Sequence, residues 1–104
     1  MTTFDEREQA FEAMFVHDEE MRFKAEARRN KLLGLWAAGL LGKVGEAADA
    51  YAREVVLADV EEAGDDDVFR KVYADLEGKA DGPTIRAKMI ELMAEAKRQI
   101  ASEA

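Results

Sequence analysis

No cysteine occurs in the 104 residues, which excludes a disulfide scaffold, a thiolate zinc site and a thiol nucleophile. The single histidine, His17, excludes metal centres built from several imidazoles. One proline and seven glycines leave little room for long loops or low-complexity linkers. Basic charge is short as well. Fifteen Lys and Arg stand against 23 Asp and Glu, and the net charge of -8 disfavours broad binding to nucleic acid or to an anionic membrane surface. No apolar run approaches the ~18 residues of a membrane span. The start, Met1-Thr2-Thr3-Phe4-Asp5-Glu6, lacks the basic-then-apolar order of a secretory signal. The cytoplasm is the expected compartment, with no insertion into a membrane. A chain of this size forms one domain and buries only about two thirds of its extended surface, so a large enclosed active site is not expected.

What is present reads as helix. Gly42 and Gly45 bracket one break, Gly64 with Asp65-Asp66-Asp67 marks a second, and Gly78 with Asp81-Gly82-Pro83 marks a third. Glycine supplies the left-handed residue that ends a helix, aspartate caps the next, and proline is tolerated in a first turn. Three breaks leave four segments, each with helical periodicity. Residues 66–77 place Val68, Val72 and Leu76 at four-residue steps, with Phe69 and Tyr73 widening the stripe. From Pro83 to about Ser102 the stripe is Ile85, Met89, Leu92, Met93, Ala96 and Ile100. From about Glu46 to Ala63 the chain is alanine-rich, with Tyr51, Val55 and Ala58 on one stripe and Val56 and Val60 beside it; small residues there let a neighbouring helix approach closely. The first segment, about Thr3 to Leu41, ends in the most apolar stretch of the protein, residues 32–41. That stretch predicts a central helix buried on several sides, with Trp36 its largest contribution.

The beginning of that first segment differs. Thr3 with Glu6 fits a capping box. Phe4, Phe11, Met14 and Phe15 recur at helical spacing, with Glu8 completing the pattern, and Asp5, Glu6, Arg7, Gln9 and Glu12 cover much of the rest. The three breaks already define four helices, so residues 1–17 are spare: an amphipathic arm beyond a bundle of residues 18–104. Such an arm is a candidate partner-binding element; an aromatic stripe packed on the bundle as a further core face is the alternative.

Other features carry less. His17 among Asp18, Glu19 and Glu20 is either an exposed residue or a pH sensor; a metal site with Asp18 or Glu20 lacks a full ligand set. Asp65-Asp66-Asp67 lacks the spacing of a calcium loop and is explained by helix capping. Arg22, Lys24, Arg28, Arg29 and Lys31 form a basic patch, either a solvated face paired with Glu26 and acids of neighbouring helices or an anion site. No glycine-rich phosphate loop accompanies it. No catalytic constellation emerges, and the chain is not expected to be an enzyme.

The stretch from Phe4 to Phe15 resembles the N-terminal inhibitory region of the zeta subunit of the alphaproteobacterial F-type ATP synthase, and residues 17–38 match that family most strongly. Ala52-Arg53-Glu54-Val55-Val56 and Ile85-Arg86-Ala87-Lys88 extend the likeness over essentially the whole chain. The resemblance implies an all-α, four-helix bundle with a mobile N-terminal amphipathic arm that inhibits ATP hydrolysis by entering a catalytic alpha/beta interface near the rotor. It implies partner contacts by Phe4, Asp5, Glu6, Arg7, Glu8, Phe11, Glu12, Met14 and Phe15. Met14 is a departure, since a basic residue is common there in the family. It also implies location at the cytoplasmic face of the inner membrane through the synthase, and ADP or ATP as a regulatory ligand of the bundle. Arg29, Lys31 and Trp36 are the residues chosen for that nucleotide, on charge and stacking potential. A bundle that binds adenine nucleotide without inhibiting is the competing reading.

Overall fold

The computed structural model describes residues 18–58 and 65–103. Four α-helices and no strand occur among them: α1 (Glu19–Leu40), α2 (Gly45–Ala58), α3 (Asp66–Asp75) and α4 (Gly82–Glu103). The all-α, four-helix architecture expected from the three breaks is what forms. The arm at residues 1–17 lies outside the described residues, as do Val60 and Gly64.

Local chemistry sets the helix ends. Asp18 caps α1, its Oδ1 accepting a hydrogen bond from the Met21 amide at 3.1 Å. At the other end Gly42 takes a φ of 76°, which turns the chain so that the Lys43 amide reaches the Ala38 carbonyl at 2.9 Å and the Gly42 amide reaches that of Gly39. These paired bonds close off carbonyls that a helix end otherwise leaves open. Asp81 caps α4, accepting from the Thr84 amide at 2.9 Å.

Packing is organised around α1, which lies chiefly against α2 and α4, with α3 bridging the last two. The main core joins Leu33, Ala37 and Ala38 of α1 to Tyr51 and Val55, to Val68, Val72 and Leu76, and to Ile85 and Met89. A smaller core of Ala25 and Ile100, flanked by Met21 and Met93, lies toward the start of α1. Arg29 and Asn30, both buried, are the residues of α1 that separate the two.

The stripes on α3 and α4 fall where the spacing placed them: Val68, Val72, Leu76, Ile85, Met89, Ala96 and Ile100 are buried. Tyr73 is the exception on α3, since it stands half out of the protein against the edge of Phe69, ring centroids 5.5 Å apart. The apolar end of α1 departs from expectation. Leu33, Gly34, Ala37 and Ala38 are buried, but Leu32, Leu35 and Trp36 are half-buried and Leu40 is exposed. Three neighbouring helices cannot surround the fourth on every side in so short a bundle. Trp36 sits at the rim of the core with the Lys88 ammonium 5.7 Å from its ring centroid.

The expected close approach of a helix to the alanine-rich segment is found at one point. A Cβ on Gly34 would lie 2.6 Å from the Ala52 Cα and 3.1 Å from the Ala52 Cβ. Backbone cannot yield as a flexible side chain can, so only glycine fits this crossing. Gly39, in the same helix, faces open space. Two substitutions therefore have opposite outcomes in thermal or urea unfolding. Gly39→Ala gains helix propensity and stabilises by up to about 1 kcal/mol. Gly34→Ala gains the same propensity but overpacks the crossing, for a net loss of about 1–3 kcal/mol.

Candidate functional site

The residues expected to meet a partner, Phe4, Asp5, Glu6, Arg7, Glu8, Phe11, Glu12, Met14 and Phe15, all lie outside the described residues, and so does His17. What the structure describes is the platform from which they lead, the first three turns of α1 and what holds them.

Two arginines fix that platform. Arg28 donates from Nη1 and Nη2 to the two carboxylate oxygens of Glu103 at 2.8 and 3.0 Å, and from Nη1 to Gln99 Oε1 at 2.8 Å. The bidentate fork ties the start of α1 to the end of α4. Its hydrogen bonds hold the Glu103 carboxyl below the usual glutamate range and push the Arg28 guanidinium up. Arg29 turns inward. Only 1% of it is exposed, and it donates from Nε to Asn30 Oδ1 at 2.7 Å and from Nη2 to Asp65 Oδ1 at 3.0 Å.

That second bond corrects the capping expectation at Asp65-Asp66-Asp67. Asp65 occupies the position before α3 but makes no side-chain cap bond. Its carboxylate serves Arg29 instead, Asp66 accepts from Arg86 at 3.1 Å, and Asp67 pairs with Arg70. The physical reason is competition: a buried guanidinium needs an anion more than an exposed helix start needs a cap. Among the described residues no group of carboxylates or histidine is arranged to hold a metal ion.

The residues chosen for a nucleotide do not converge. Arg29 and Lys31 are two apart in α1, about 200° around the helix axis. Arg29 borders a cavity with Asp65, Arg86 and Met89, whereas the exposed Lys31 borders grooves lined by Val56 on another side. Trp36 is occupied with Lys88. The basic patch itself divides. Arg28 and Arg29 carry structural ion pairs and Lys24 lies 3.7 Å from Glu20, but Glu26, the acid expected to partner the patch, takes part in none of the ion pairs described here.

Between α2 and α3, Tyr51 donates its hydroxyl to Asp75 Oδ2 at 2.9 Å while Lys71 bridges Asp75 and Glu54. Burial, reinforced by Asp75, pushes the Tyr51 phenol far above its ordinary pKa. It stays protonated and acts as a strut between α2 and α3, not as an acid or base.

A sequence model of the family described as ATPase inhibitor subunit zeta matches residues 1–99. The chain belongs to this family. The zeta-family match covers both the aromatic N-terminal segment and the bundle up to the last turn of α4. A solution NMR structure 61% identical in sequence shares the fold, with a TM-score of 0.76 over 81% of this chain and 99% of that one. A comparison with curated proteins gives no match. Among the described residues no helix is long and apolar enough to cross a membrane. Zeta-family membership describes a regulatory subunit, in keeping with the lack of a catalytic constellation in the sequence.

Two measurements check the platform. Removing Asp65 leaves Arg29 buried without its carboxylate, so Asp65→Ala costs about 1–3 kcal/mol in urea unfolding, and Arg29→Met costs less because no buried charge is stranded. The Glu103 carboxyl, followed by NMR, titrates below an ordinary glutamate. Its stabilising effect is present above the ordinary glutamate range and is lost as pH falls through the lowered folded value. Arg28→Met returns the midpoint to the ordinary value.

Proposed function

We propose that the chain inhibits ATP hydrolysis by the F-type ATP synthase, with residues 1–17 acting as an arm that wedges into a catalytic alpha/beta interface. The observation that carries this reading is the zeta-family match, which runs from residue 1 through the aromatic segment and on through the bundle.

In this mechanism Phe4, Phe11 and Phe15 are the apolar anchors, filling pockets where aromatic side chains carry most of the binding energy. Asp5, Glu6, Arg7, Glu8 and Glu12 set the register, and Met14 contributes apolar surface where a charge is common in the family. An arm in the cleft keeps the interface from opening, so hydrolysis-driven rotation stalls. Ordering the arm on binding lowers the affinity per unit of buried surface, which keeps inhibition reversible. The bundle is the stop. Its α1 is packed against α2 and α4 and tied by Arg28 to Glu103, so in this mechanism the bundle is too wide to follow the arm inward. The synthase would hold the protein at the cytoplasmic face of the inner membrane.

The test is titration of the full chain into a purified catalytic sector while the ATPase rate is followed. The rate falls saturably. Phe11→Ala raises the half-inhibitory concentration about thirtyfold, as expected for an anchor worth ~2 kcal/mol. Deleting residues 2–17 abolishes inhibition and leaves cooperative melting of the bundle in place. An unchanged ATPase rate with the full chain sinks the inhibitory reading. Loss of cooperative melting in the deletion makes the segment part of the core.

A further inference from the structure

Two open grooves run together on the face formed by α1, α2 and the end of α4. The first, about 650 Å³, has an apolar floor of Met21, Ala27, Val56 and Ile100. The second, about 570 Å³, continues it past Ala52 to Leu57. Lys31 and Val56 border both. Leu57 is 67% exposed, an unusual position for a leucine beside a ready apolar channel.

The rim is basic on an acidic protein. Lys24, Arg28, Lys31 and Arg53 stand around the two grooves against only Asp49 and Glu103, whereas the chain as a whole carries -8. Glu103 is already committed to Arg28, and Lys24 has only a loose pair with Glu20. No ion pair among the described residues engages Lys31 or Arg53. Three of these cations, Lys24, Arg28 and Lys31, are spaced along α1 at four- and three-residue steps on one face, and Arg53 stands on α2 beside them, with the charge uncommitted at Lys31 and Arg53.

Position decides what this surface meets. The groove opens at Met21, one turn beyond the Asp18 cap and directly after the arm. If the arm occupies a cleft of the catalytic sector, as proposed above, the first turns of α1 must stand at the mouth of that cleft. A partner surface there is held at high effective concentration by the arm itself.

We infer that this groove is a second docking site for the catalytic sector, one that takes an acidic helix or helix end bearing an exposed apolar side chain at the mouth of the cleft. The apolar floor receives the side chain, Lys31 and Arg53 meet the carboxylates, and the arm supplies the rest of the affinity. The inference rests on the inhibitory reading, and its test separates the two.

The full chain carrying a fluorophore is titrated with purified catalytic sector by anisotropy, and ATPase inhibition is followed in parallel, at low and at raised salt. The double variant Lys31→Glu with Arg53→Glu breaks no described ion pair, and its melting curve is expected to match the wild type. Its half-inhibitory concentration and its Kd rise by about tenfold or more, and its affinity loses most of the salt dependence of the wild type. Leu57→Ser weakens binding without altering the salt response. Unchanged affinity and salt response in the double variant overturn the groove while leaving the arm reading intact. A wild type that neither binds nor inhibits overturns both. Two further results also overturn the inference by giving the groove another occupant. One is a free-chain dimer, seen by sedimentation, that the double variant dissolves. The other is amide protection over residues 1–17 that the double variant removes.

Discussion

The crossing of α1 over α2 at Gly34 and Ala52 is the constraint on which the bundle depends. Two backbones come so near that a single added carbon would lie 2.6 Å from a Cα. That contact sets where α1 lies, and α1 in turn is the helix against which α2 and α4 are both built. Leu33, Ala37 and Ala38 reach the main core because the crossing brings their side of α1 down onto Tyr51 and Val55. The remaining sides of α1 are left less covered, which is why a stretch as apolar as residues 32–41 still exposes Leu40 and part of Trp36.

Charge is then divided by depth. Arg29 enters the interior and requires Asp65 and Asn30 to be there. Arg28 reaches sideways and clasps the last turn of α4. Lys31, between them in purpose but opposite Arg29 on the helix, stays in solvent. Three basic residues that look alike along the chain are thus placed in three different ways. The two structural arginines tie the first half of α1 to the end of α4 and to Asp65.

Much of this was legible beforehand where the signal is local and repetitive. Val68, Val72 and Leu76, or Ile85, Met89 and Ala96, recur at helical steps, and a helix with one such stripe has one way to lie down. Gly42 was legible because only glycine takes its left-handed conformation cheaply. Asp65 was misread because a capping aspartate and an aspartate that neutralises a distant guanidinium look the same from either side in sequence. Trp36 was misread because periodicity reports how apolar a face is, not how many neighbours arrive to cover it. Arg29, Lys31 and Trp36 were grouped by type of side chain, and helix rotation places the first two on opposite sides.

The sequence by itself determined four helices, their stripes and, through likeness of residues along the whole chain, the family. These follow from interactions among near neighbours and from patterns that need no partner to be read. Only the tertiary structure decided that Gly34 must be glycine, that Arg29 is buried and Arg28 clasped, and that Lys31 and Arg53 border one apolar channel. Each of those depends on groups distant in the chain, Ala52, Asp65, Glu103 and Val56, and the distance between such groups is set by packing rather than by order along the backbone.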